Sequence, residues 1–148
     1  MYSVQAVFDK AIHWIDAQNE STGSTMTADT KEYALRTPSI VNMYLNVVYP
    51  YSDTYAARED GRRPFLEPVA ALEDELDLDA YICMSVLPFA LAAGLLVEEN
   101  AAVADAALQI YQENLARAAG TLPSEISDVE NVYGGFGGIE YGEFSRWA

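Results

Sequence analysis

Apolar residues recur at spacings of three and four over the first eighteen positions. Val4, Phe8, Ala11, Ile12 and Ile15 fall on one face, while Asp9, Lys10, His13 and Asp16 take much of the other. The pattern predicts an amphipathic helix over 3–18 with Ser3 as its N-cap. Residues 19–27, NESTGSTMT, carry no such period and predict a loop. Periodicity returns at Asp29, which stands three residues before Glu32, the spacing of an acidic variant of the capping box. Pro38 interrupts this second region. The favoured reading is two joined pieces, 29–36 and 38–49, with Thr37 capping the second and Pro38 at its first position; a kinked continuous helix is the alternative. Ile40, Val41, Tyr44, Leu45 and Val48 make an intact stripe after the proline.

Three prolines, a glycine and mixed charges over 49–68 predict mostly loop, and 66–72 a short extended piece or turn. Asp77 or Asp79 then caps a third helix reaching Val97, bent at Pro88. Asn100 opens a fourth, closed by Gly120 as C-cap, with Val103, Ala107, Ile110, Tyr111 and Leu115 as its buried stripe. Small residues such as Ala90, Ala92, Ala93, Gly94, Ala104 and Ala107 suit close helix approach within the chain, or between subunits.

Residues 121–148 differ in kind. Partial alternation runs through Ile126, Val129 or Val132, and Tyr133, and five of the nine glycines fall here, which favours flexible backbone. The same segment holds Tyr133, Phe136, Ile139, Tyr141, Phe144 and Trp147. Side chains of this size pack on their own helices, build a small hairpin or dock on a partner. The expected fold is therefore mainly α: a bundle of about four to five helices with a glycine- and aromatic-rich C-terminal extension. It divides into a helical domain over 1–120 and an extended or hairpin-like arm over 121–148.

Composition narrows the function. A chain of 148 residues, 51% of them hydrophobic, has enough apolar content for one folded domain. Eight basic against 23 acidic residues give a net charge of −15, which repels phosphate backbones and anionic membranes. No nucleic-acid binding and no membrane association are expected. The uncharged run Ala80–Val97 contains Ser85, Pro88 and Gly94 and has acids on both sides, so it reads as a buried helix rather than a membrane span. A single cysteine excludes an internal disulfide framework, and the first residues show no signal-peptide pattern.

Candidate chemistry is sparse. His13 lies on a polar helix face, and Cys83 lies in an apolar run without a basic neighbour, so packing or surface roles are favoured over catalysis for both. One His and one Cys cannot supply the usual zinc ligands. Glu73, Asp74, Glu75, Asp77 and Asp79 read as helix-capping and solvated acids, with weak cation binding as the alternative. The Gly134–Gly138 run lacks the lysine and hydroxyl of a phosphate loop. Arg58, Arg62 and Arg63 form the only basic cluster; they are expected to be solvated or paired with Glu59, Asp60 and Glu67, or else to meet a partner's carboxylate or phosphate. No catalytic residue, metal ligand or cofactor is assigned.

Phe8, Asp9, Ala11 and Asn19-Glu20 are followed by Thr27-Ala28-Asp29-Thr30, Tyr33, Arg36 and Thr37. Then come Tyr49-Pro50-Tyr51-Ser52-Asp53, Leu87-Pro88, Ala92-Ala93 and Asn100. In this order the chain resembles, over roughly 5–120, the small head–tail connector or adaptor proteins of tailed phages and prophages of Gram-positive bacteria. The resemblance implies a non-enzymatic virion structural protein, assembled in the host cytoplasm. Its partners would be portal or tail proteins, with a homo-oligomeric ring as the possible assembly. It further implies that the arm docks through Tyr133, Phe136, Ile139, Tyr141, Phe144 and Trp147, with Arg58, Arg62 and Arg63 as a second contact. The rival reading is an acidic accessory protein that inhibits a basic partner as a DNA mimic. A small enzyme is the third.

Overall fold

The computed structural model describes residues 1–17 and 19–121; the arm residues from 122 onward, with Tyr133, Phe136, Ile139, Tyr141, Phe144 and Trp147, lie outside them. Helix α1 spans Val4–Trp14 and begins as expected: the Ser3 hydroxyl accepts from the Ala6 N–H at 3.3 Å. It stops earlier than the apolar spacing predicts. Asp16 adopts φ +58°, and the Ala17 N–H reaches back to the Ile12 carbonyl at 3.1 Å, closing the helix end before Ile15 can extend it.

Helix α2 spans Lys31–Val48 without a break, which corrects the division at Pro38. Proline removes one backbone N–H, but the apolar positions on both sides of it, Ala34, Ile40 and Val41, are buried in one core. Packing along the whole face outweighs the local interruption. The Thr37 hydroxyl donates to the Tyr33 carbonyl at 2.7 Å instead of capping a new helix. Thr30, not Asp29, precedes the first turn. A single tight turn, Tyr49–Tyr51, ends the helix beside Pro50.

Two short strands, β1 (Tyr2–Ser3) and β2 (Glu75–Leu76), pair antiparallel with Tyr2 opposite Leu76 and Ser3 opposite Glu75. Bonds from the Val4 N–H to Asp74 and from the Gln5 N–H to Leu72 continue the pairing into α1. These strands are too short for any period-two signal.

Asp79 is the cap expected before the third helical region, accepting from the Ile82 N–H at 2.8 Å. The region itself is divided. Ile82–Val86 forms a wide turn in which the Leu87 N–H bonds to the Ile82 carbonyl, and only then does helix α3 run, Leu87–Leu96. Pro88 has no N–H for a regular helical bond back to Met84, so the wide turn falls just ahead of it. Helix α3 is buried nearly all round, through Leu87, Ala90, Leu91, Ala92 and Leu95, and α1, α2 and α4 pack about it. That central position explains its uniform apolarity. Among the described residues, no helix is long and apolar enough to cross a membrane.

Helix α4 spans Ala101–Thr121, with the Asn100 side chain accepting from the Val103 N–H at 3.3 Å. Its buried face is Ala104, Ala107, Tyr111 and Ala118. The expected Val103, Ile110 and Leu115 are only half-buried, because alanine lets α4 approach α3 closely and displaces the larger residues to the flanks. Gly120 lies inside the last turn and does not cap it.

Candidate functional site

Helix α2 shows two apolar faces. One faces the core. On the other, Leu35, Met43 and Val47, at 75%, 69% and 51% exposed, follow a four-residue spacing completed by Ser39. A lone exposed leucine is ordinary, but here three large apolar side chains lie along one exposed side of one helix, with only Ser39 between Leu35 and Met43. This side opens at its N-terminal end into a groove of about 350 Å³ between α2 and residues 70–73. Met26, Leu35, Pro38, Ala71 and Leu72 supply most of its wall, with Lys31 and Glu73 as the charged groups.

Local bonds hold both banks of the groove. Thr30 is fully buried; its hydroxyl accepts from the Thr27 N–H at 2.9 Å and donates to the Thr25 carbonyl at 2.6 Å, fixing the loop that carries Met26. On the opposite bank, the Asp74 carboxylate accepts from the Ala70 and Ala71 N–H groups at 2.7 and 3.0 Å. Those two bonds hold its pKa below the ordinary carboxylate value. Helix α2 is itself tied to the far end of α3. The Tyr33 hydroxyl donates to Glu99, and Arg36 Nη2 donates to the Leu95 carbonyl at 3.2 Å. The Glu99 bond, with some burial, pushes the Tyr33 phenol up to about 12.

The residues that the sequence singles out fall elsewhere. Arg58 forms a fork with Asp60, Nε and Nη2 at 3.1 and 2.7 Å from the two carboxylate oxygens, and its guanidinium lies 5.2 Å from the Phe65 ring centroid. Arg62 and Arg63 stay exposed on the same loop, so one of the three arginines is paired as expected and two face solvent. Of the acids at 73–79, Asp79 caps the helical region that follows, as expected, while Asp74 holds the N–H groups of Ala70 and Ala71 in the loop before it and caps no helix. Among the described residues, no three His, Cys, Asp or Glu side chains are placed to hold a metal ion. His13 is exposed, and burial pushes the Cys83 thiol up to about 12, leaving it protonated and shielded at neutral pH.

The α2 face escaped sequence reasoning because the helix's core stripe absorbed its apolar signal. The available clue was the remainder: Leu35, Met43 and Val47 are apolar positions that the buried face does not use. Comparison with protein-family models, with curated proteins and with solved structures finds no match to this chain.

Proposed function

We propose that this chain is a non-enzymatic assembly subunit that works by docking on other proteins. We further propose that its assembly is the head–tail connector of a tailed phage or prophage. The exposed apolar face of α2 carries the first part: a protein interface needs a desolvatable apolar centre with charged groups at its rim, and Leu35, Met43 and Val47 with Lys31 and Glu73 supply both. The second part rests on the likeness of the order of elements to connector proteins. The acidic charge supports it, because a conduit for DNA must not adhere to DNA. Mimicry of DNA is less well supported, since Asp74 and Asp79, within the main acid cluster, are engaged with backbone N–H groups.

Affinity capture from lysate of the source cells tests the reading, comparing the full chain, a chain ending at Thr121, and the full chain with Met43→Glu. Recovery of portal or tail proteins that depends on both the arm and Met43 supports the connector. Equal recovery of a basic DNA-binding protein by all three forms replaces it with the mimic.

A further inference from the structure

The groove beside α2 is largely apolar, the chain after α4 carries large aromatic residues, and the two belong to one polypeptide. Helix α4 has 21 residues and is about 30 Å long. The Glu99–Tyr33 bond places its start near the start of α2, so the arm leaves from the far end of α4. Twenty-two residues separate Thr121 from Phe144, a reach of about 70 Å when extended. The return is therefore well within range. Tethering at this length also gives an effective concentration on the order of millimolar, which no free partner matches in dilute solution.

Charge and size agree with the length. Phe144 and Trp147 are large aromatic groups of the kind that anchor in grooves, and Glu143 and Arg146 precede them directly. The groove offers Leu35, Pro38, Leu72 and Met26 to the rings, Lys31 to Glu143 and Glu73 to Arg146.

We propose that in the free subunit the groove between α2 and residues 70–73 is occupied by residues 143–147 of the same chain, so that the subunit covers its own docking surface until a partner displaces the arm. The proposal rests on reading 121–148 as a docking arm. It adds where that arm sits before assembly.

The chain has two tryptophans, so Trp14→Phe in the full-length protein leaves Trp147 as the sole reporter. The expected result is blue-shifted Trp147 emission with several-fold weaker acrylamide quenching than free tryptophan, unchanged on dilution. Leu35→Glu and, separately, Met26→Glu in the groove should each restore full quenching. Both positions are at least half exposed, so the fold should persist, with far-ultraviolet circular dichroism as the check. Trp147 open to quencher at every concentration overturns the proposal. So does protection that appears only as concentration rises, which would assign the groove to a second copy. Protection that survives both groove variants overturns it too, by placing the arm elsewhere. A chain that captures portal or tail proteins through its arm while Trp147 is open loses only the self-docking, and the assembly reading stands.

Discussion

Asn42 holds Val69 by both of its backbone groups. The Asn42 side-chain nitrogen donates to the Val69 carbonyl at 2.8 Å, and its oxygen accepts from the Val69 N–H at 2.8 Å. One helical turn on, Asn46 does the same to Leu66, at 3.2 and 2.7 Å. Two amides on α2 thus replace a neighbouring strand for the segment 66–69, which runs antiparallel to the helix. Asn42→Asp keeps the acceptor and loses the donor, leaving a carbonyl facing a carboxylate. A loss of about 1–3 kcal/mol is expected in urea denaturation. Asn46→Ala, at the more exposed pair, should lose less than about 1 kcal/mol.

Gly94 sits where α3 crosses α2. A Cβ added there would lie 2.8 Å from Ile40 Cγ2. Alanine gains about 1 kcal/mol of helix propensity over glycine, but overpacking against a β-branched, stiff side chain costs about 1–3 kcal/mol. Gly94→Ala should therefore lower stability by up to about 2 kcal/mol. Combined with Ile40→Ala it should lose less than the sum of the two single changes, measured as a double-mutant cycle.

Alkaline pH should unfold the protein earlier than its carboxylate-rich surface suggests. The Cys83 thiol is raised from 9.0 to about 12 by burial, with the nearby Asp79 charge adding to it. The unfolded thiol ionises first, so the unfolded chain holds fewer protons and stability falls as pH rises from about 9 towards 12. Tyr33 and Tyr111, both raised from 10.0 to about 12, add to the loss over the upper part of that range. Denaturant midpoints against pH should stay level up to about 9 and then decline. Cys83→Ala should delay the decline to the tyrosine range, and iodoacetamide should label Cys83 only after unfolding.

The outer face of α2 should separate stability from association. Met43→Glu and Val47→Glu change side chains that are mostly in water, so their effect on urea midpoints should correspond to no more than about 0.5 kcal/mol. Capture of the partner should fall sharply with either. A large loss of stability would show that the face is needed for folding and argue against its role in docking.

Which parts of this fold the sequence discloses depends on whether a local signal had to compete with a distant one. Ser3 and α1 are legible because cap and period act within a few residues. Asp79 and Asn100 are legible for the same reason. Pro38 misleads because α2 buries Ala34, Ile40 and Val41, on both sides of the proline, in one core built with the other helices, and no local rule reports that packing. On α4, Ala107 and Tyr111 are buried as expected, but hydrophobicity alone also favours Val103 and Ile110, whereas the close packing on α3 selects Ala104 and Ala118. The candidate site is half legible. Its apolar residues are visible as a remainder, but the groove depends on residues 70–73, which reach α2 through the loop that Asn42 and Asn46 hold.

The wide turn at Ile82–Val86 makes residue number matter in this part of the chain. Each of its residues occupies less rotation than in a regular helix, so Ile82, Cys83 and Val86 reach the same interior as Leu87, Ala90 and Leu91, although a regular helix would set the two groups out of step. The five residues of the turn cover about the arc that four cover in a regular helix, so a deletion of one residue here would let the turn close as regular helix with both flanks still aligned. A one-residue insertion has no such outlet and would rotate everything before it by about 100°. Cys83 would then turn towards water, and the Asp79 cap would swing away from the Ser52–Asp53 corner it now joins. Substitutions in this stretch test packing, whereas the gain or loss of a single codon tests counting, and the fold has room to lose a residue here but none to add one.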